Sequence, residues 1–229
     1  MYSEQLKKIL GQEGFNKILK SNLSKCTFGQ FGEDILINKI LKDIPNGNYL
    51  DLGSFHPMQF SNTFTLYLKG WRGVNIDGNS RMINLSKQVR PLDINVHAYL
   101  SDKKKDIYYI ENEKNPAMNK LVDTVGKLND TEKPKLIKTS ILNEILSKYK
   151  SHLKKLFYLN VDLEFNDLSI LKTLDLEQYR PYLITIEVHN FQFYQQNDIC
   201  KFLNKYNYSI YAYINPTAFY VKNNFKNYF

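Results

Sequence analysis

The tightest constraint on this chain is the way its apolar runs end. Short hydrophobic stretches close on an acid or a glycine, and segments with helical spacing separate them. Residues 48–53, 73–77, 94–100, 155–162 and 182–189 read as strands, the last carrying the apolar series Leu183, Ile184, Ile186 and Val188. Helical periodicity fits residues 3–23, 31–41, 62–69, 81–87, 141–149, 168–174 and 198–206. An extra antiparallel strand is expected over 106–110, and 208–214 running through Asn215-Pro216 into 219–221 predicts a closing hairpin. Five strands separated by helices and finished by a hairpin make an α/β protein, a mostly parallel sheet covered on both faces. Residues 112–135 are polar, contain Pro116, Gly126 and Pro134, and are expected to form a flexible loop or lid.

Composition agrees with a globular protein and excludes a disordered one: 43% of the 229 residues are hydrophobic and 24% charged. Thirty-one Lys and Arg against 23 Asp and Glu leave a net charge of +8, spread along the chain, which favours anionic partners such as phosphates, acidic sugars or nucleic acid. Two cysteines, Cys26 and Cys200, lie too far apart in sequence to suggest a disulfide scaffold, so a reducing, cytoplasmic setting is expected. The first twenty residues are interrupted by Glu4, Lys7, Lys8, Glu13, Lys17 and Lys20, which leaves no apolar core for a signal peptide. No apolar run approaches the ~20 residues that span a bilayer. The expected organisation is a helical extension over residues 1–45, packed on one globular unit over 46–229.

In open sheets of this kind ligands bind outside the carboxyl ends of the strands, so the strand tips are where chemistry is sought. The first ends Asp51-Leu52-Gly53-Ser54-Phe55-His56-Pro57. Its glycine lets a ligand approach the backbone, and Asp51 can orient the turn or receive an amine. With one glycine it is not a dinucleotide fingerprint. The second ends on Asp77, 26 residues later, an acid placed to accept both hydroxyls of a ribose. The third runs out at Ser101-Asp102, suited to an adenine edge. Any one of these acids has helix capping as its plain alternative. The fourth delivers Asp162 and, on the same face by alternation, Glu164; the fifth delivers Glu187, His189 and Asn190. Unpaired buried carboxylates are costly, so this group implies pairing, a metal ion or proton transfer, with a structural ion-pair network as the alternative. His56 is a second candidate base or substrate contact; His97 reads as a core or edge residue and His152, among lysines, as solvated.

These segments, in order, resemble the FkbM family of S-adenosylmethionine-dependent methyltransferases. The resemblance is carried by Gln30-Phe31-Gly32-Glu33-Asp34, the Asp51–Pro57 stretch, Ser61-Asn62-Thr63, Gly70-Trp71-Arg72-Gly73-Val74-Asn75-Ile76-Asp77, Leu100-Ser101-Asp102, Asn160-Val161-Asp162-Leu163-Glu164 and the stretch from Arg180-Pro181 to Glu187-Val188-His189. It departs at Phe165, where the family has glycine, and at Gly78-Asn79-Ser80, where the family follows the second-strand acid with Asn-Pro. The resemblance implies a Rossmann-like methyltransferase fold with a seven-stranded sheet, S-adenosylmethionine as cofactor, and O-methylation of a sugar, a sugar nucleotide or another small hydroxylated metabolite. On this reading Glu33, Asp51 and Gly53 hold the methionine end, Asp77 the ribose, and Ser101 with Asp102 the adenine. Asp162, Glu187 or His189 takes the acceptor's proton, and His56 and Asn190 contact substrate. Magnesium or manganese on Asp162, Glu164 and Glu187 is a variant of the same site. The alternatives are transfer to nitrogen or to nucleic acid, against which no Asn/Asp-Pro-Pro-Tyr/Phe segment follows the fourth strand, and an inert nucleotide-binding module. The expected partner is a small acceptor, with no membrane span, nucleic acid disfavoured and homo-oligomerisation open.

Overall fold

The strands read from the sequence form because their residues are apolar on both faces, and burying both faces requires a sheet with helices on either side. The computed structural model describes residues 11, 13, 27–112, 114, 119–163, 166–188 and 197–223. Its main sheet contains β1 (Asn48–Leu52), β2 (Arg72–Asp77) and β3 (Ile94–His97), then β7 (Leu156–Val161) and β8 (Leu183–Glu187), and finally β9 (Tyr208–Ile214) and β10 (Thr217–Lys222). The order across the sheet is β3-β2-β1-β7-β8-β10-β9. The five strands from β3 to β8 run parallel, and β10 is antiparallel to both its neighbours. The sheet is thus seven-stranded and mostly parallel, with the expected C-terminal hairpin.

Alternation along the strands divides the core in two. Leu50, Leu52, Val74, Ile76, Leu159, Val161, Ile184 and Ile186 pack on one face. Tyr49, Tyr158, Leu183 and Phe219 pack on the other, against Ile37 of α1 (Glu33–Ile40), Leu66 of α2 (Phe64–Leu68) and Trp71. Helix α3 (Ser80–Val89) starts where the Asn79 side chain accepts from the amides of Arg81 and Met82. The remaining helices are α4 (Leu142–Ser147), α5 (Asp167–Leu171), α6 (Leu176–Tyr179) and α7 (Asp198–Lys205). The helix expected over 3–23 lies outside the described residues except at positions 11 and 13. No helix among the described residues is long and apolar enough to cross a membrane.

Residues 112–135 are not one loop. They contribute to a second sheet of order β5-β4-β6, with β4 (Asp106–Asn112) between β5 (Lys120–Val122) and β6 (Glu132–Lys138). β4 is the antiparallel strand expected over 106–110; the polar sequence hid β5 and β6, because β6 buries only Ile137 and edge strands of a small sheet display no apolar alternation. Pro134 is tolerated because β6 is such an edge.

Candidate active site

A cavity of about 560 Å³ opens at the carboxyl ends of β1, β2, β7 and β8, with β4 and β5 contributing one wall. Gly53 ties these strand tips together. Its φ is +77°, and a Cβ on it would stand 1.6 Å from the carbonyl oxygen of Asp162. Its amide donates to Ile76 O at 2.9 Å, and the Asp162 amide donates to Leu52 O at 2.9 Å. Only glycine gives both the left-handed backbone and the room. Beside it, Phe55 (φ +42°) and Phe60 (φ +58°) also line the cavity with left-handed backbones that bulky residues disfavour.

Asp51 lies beneath this floor, 2% exposed, within a buried polar network. It accepts from Thr63 Oγ1 at 2.6 Å and Asn160 Nδ2 at 2.9 Å. Thr63 Oγ1 in turn accepts from Arg90 at 3.0 Å, and Arg90 Nε donates to Asp93 at 2.9 Å. The Tyr49 hydroxyl donates to Asp93 and accepts from Arg90. Burial raises the Asp51 carboxyl above its ordinary value, while the Arg90 charge and the bonds from Thr63 and Asn160 pull it back. Burial works against the Arg90 charge, but Tyr49, Asp93 and Asp51 outweigh it and hold its pKa above the ordinary guanidinium value. Asp51 therefore borders the cavity with each carboxylate oxygen accepting one side-chain hydrogen bond from the network beneath it.

Asp77 is differently placed. One oxygen accepts from Phe55 N at 2.7 Å and the other from Asn79 N at 2.6 Å, which fixes the carboxylate at the cavity wall and leaves a lone pair free on each oxygen. Burial raises its pKa, with the Asn79 and Phe55 amides opposing. Two buried oxygens in the same wall, Ser54 Oγ and Asn62 Oδ1, have no hydrogen-bond partner among the described residues, and each is suited to a polar ligand atom. A bare glycine, a positioned acid and two orphaned acceptors fit a nucleoside-bearing cofactor with an amine, such as S-adenosylmethionine.

The other expected residues divide. Asp162 and Glu187 both line the cavity, as do Asn62, Asn160 and Asn166, which sequence reasoning did not assign. Glu164, His189 and Asn190 lie outside the described residues. Glu33 is buried and accepts from Phe31 N at 2.8 Å, so it shapes the Gln30–Phe31 turn at the cavity rim rather than lining the wall itself. His56 is also outside the wall; its Nδ1 accepts from Met58 N at 3.1 Å and Gln59 N at 2.9 Å, and burial lowers its pKa. Ser101 donates to Asp102 at 3.1 Å, and neither lines the cavity; Ala98, Tyr99 and Leu100 do. Of the three carboxylates assigned to a metal, Asp162 and Glu187 share the cavity, and among the described residues no three His, Cys, Asp or Glu side chains form a metal-sized group. The residues not assigned from sequence, Tyr99, Tyr109 and Asn119, lie on or beside the second sheet; Tyr99 and Tyr109 fall in segments read as strands, and nothing in their sequence showed that these strands reach the cavity.

The sheet order, the single antiparallel strand beside its edge and a cavity with an acid at the tip of the second strand define a Rossmann-like domain of the methyltransferase type. The chain belongs to the family described as the methyltransferase FkbM domain, whose model matches residues 51–210. No curated protein matches it in sequence. Among solved structures it is similar to a TehB-like SAM-dependent methyltransferase from Corynebacterium glutamicum ATCC 13032 Kitasato, at 12% identity over 96% of this chain and 98% of that one, with a TM-score of 0.43. So distant a likeness assigns no residue a role.

Proposed function

We propose that this protein is an S-adenosylmethionine-dependent methyltransferase that acts on a hydroxyl oxygen of a small acceptor, a sugar or sugar nucleotide. The observation that carries the reading is the convergence of Gly53, Asp77, Asp162 and Glu187 on one cavity at the sheet's carboxyl edge. The cofactor, when bound, supplies an electrophilic methyl group on a sulfonium. Asp77 accepts from the ribose hydroxyls with the lone pairs its backbone amides leave free. Asn62 Oδ1 and Ser54 Oγ receive the donors of the amino-acid end, and the Gly53 backbone admits it closely.

An alcohol is a weak nucleophile while it keeps its proton, so the acceptor needs a base within hydrogen-bond reach. Asp162 and Glu187 are the described carboxylates at the tips of β7 and β8 that fill this role, and His189 follows Glu187 two positions on in the sequence. Holding the acceptor oxygen in line with the methyl is the rest of the catalysis. Lys120, in the β5 wall, suits the phosphate of a nucleotide-activated sugar.

The test is incubation with labelled S-adenosylmethionine and a panel of sugar nucleotides, read by mass spectrometry, beside calorimetric titration with S-adenosylhomocysteine. Asp162→Asn and Glu187→Gln are expected to abolish transfer while retaining S-adenosylhomocysteine. Failure of the unaltered protein to bind it removes the cofactor assignment, and unchanged turnover in both variants removes the assignment of the base.

A further inference from the structure

Asp77 fixes where a nucleobase must lie. A ribose held there carries its base at the neighbouring carbon of the same ring, so the base falls against whatever lies beside Asp77. The next residue is Gly78, and a Cβ on it would stand 2.9 Å from Tyr99 Cδ1 and 3.6 Å from Tyr109 Cε2. The Tyr99 ring therefore occupies the space that a side chain at position 78 would need, and the Tyr109 ring lies at van der Waals distance from it. Their centroids are 4.8 Å apart with planes inclined by 59°, and both residues line the cavity. Tyr109 belongs to β4, and Tyr99 lies on the chain leading into the second sheet.

A side-chain pair behind Tyr109 sets the direction of its hydrogen bond. Asn119 Nδ2 donates to the Tyr109 hydroxyl at 2.7 Å, and Asn119 Oδ1 is itself committed to the Asn112 amide at 2.7 Å. The phenol oxygen thus accepts from Asn119, and its own proton stays available for another acceptor. Burial raises the pKa of Tyr109 and, less strongly, of Tyr99, so the hydroxyls remain protonated donors. Ser101 and Asp102, the pair that sequence suggested for this contact, donate and accept between themselves outside the wall.

We propose that Tyr99 and Tyr109 are the nucleobase wall of the cofactor site: their rings flank a purine, the Tyr109 hydroxyl donates to one of its ring nitrogens, and Asn119 is a positioning residue that orients that hydroxyl. This rests on the cofactor reading above. It gives the second sheet a role, since it supplies through Tyr109 and Asn119 the contact that a side chain at position 78 cannot make.

Calorimetric titration of the full chain with S-adenosylhomocysteine tests it. Tyr109→Phe, which keeps the ring, is expected to weaken binding about five-fold, the effect of one hydrogen bond. Tyr99→Ala is expected to weaken it about ten-fold, the effect of a lost stacking face. Asn119→Asp keeps the acceptor for the Asn112 amide but draws the Tyr109 proton onto its own carboxylate. It is expected to cost as much as Tyr109→Phe and nothing further in the double variant, a coupling that a merely structural asparagine would not produce. Melting temperatures confirm that Tyr109→Phe is folded. Wild-type affinity in both Tyr109→Phe and Tyr99→Ala overturns the wall, and additive losses in the double variant overturn the role of Asn119. No binding by the unaltered protein overturns the cofactor reading and this proposal with it.

Discussion

Replacing Gly53 with alanine tests the strand junction directly. The new methyl group would lie 1.6 Å from the Asp162 carbonyl oxygen, whereas real Cβ contacts stay beyond 3.0 Å, so the two must separate by about 1.4 Å. The obstacle is backbone, not a side chain that can swing away. Separation breaks the hydrogen bond from the Asp162 amide to Leu52 O, about 1 kcal/mol, and alanine at φ +77° adds about 1–2 kcal/mol. The expected destabilisation is therefore about 2–3 kcal/mol, read as a lower midpoint in urea denaturation at unchanged slope. Function should suffer more, because Asp162 follows its carbonyl, and a displacement of about 1 Å in a catalytic group costs on the order of 100-fold in rate. Native-like stability together with undiminished S-adenosylhomocysteine binding would refute the account of this junction.

Three further outcomes are expected. Arg90→Ala removes the cation between the buried Asp93 and the Thr63–Asp51 pair and should cost about 3–5 kcal/mol, visible as a melting temperature about 10 °C lower; a change under 1 kcal/mol contradicts the network. The affinity for S-adenosylhomocysteine should fall on acidification before the ordinary carboxylate range near pH 4 is reached, because ribose binding favours ionised Asp77 and burial has raised its pKa; Asp77→Asn should bind weakly at all pH values and lose this dependence. Dialysis against EDTA should leave turnover unchanged, and restoration of lost turnover by magnesium would return Asp162, Glu164 and Glu187 to the role of ligands.

The central parallel strands β1, β2, β7 and β8 were legible because strands buried on both faces read as continuous apolar runs, and each ends where a glycine or acid interrupts it. That Asp77, Asp162 and Glu187 line the cavity was legible for the same reason, since each is an acid that closes such a run. Asp51 was found too, but its partners were not: Thr63, Arg90 and Asn160 are 12, 39 and 109 positions away, and nothing local links them. The central strand of the second sheet was expected over 106–110, but its partners β5 and β6, and Asn119 beside them, were hidden by their polarity. Ser101 and Asp102 looked like ligand contacts from their position after the third strand, but that strand ends at His97 and neither residue lines the cavity.

The neighbour order of the main sheet has a consequence for synthesis. β1 is hydrogen-bonded on one side to β2, which follows within about thirty residues, and on the other to β7, more than a hundred residues downstream. A nascent chain that has emerged only as far as β6 therefore presents β1 with an open edge, and open edges invite pairing with other chains. The cavity at the carboxyl edge is completed only when that late strand docks, so a prematurely released chain lacks part of its wall as well as the cover for β1.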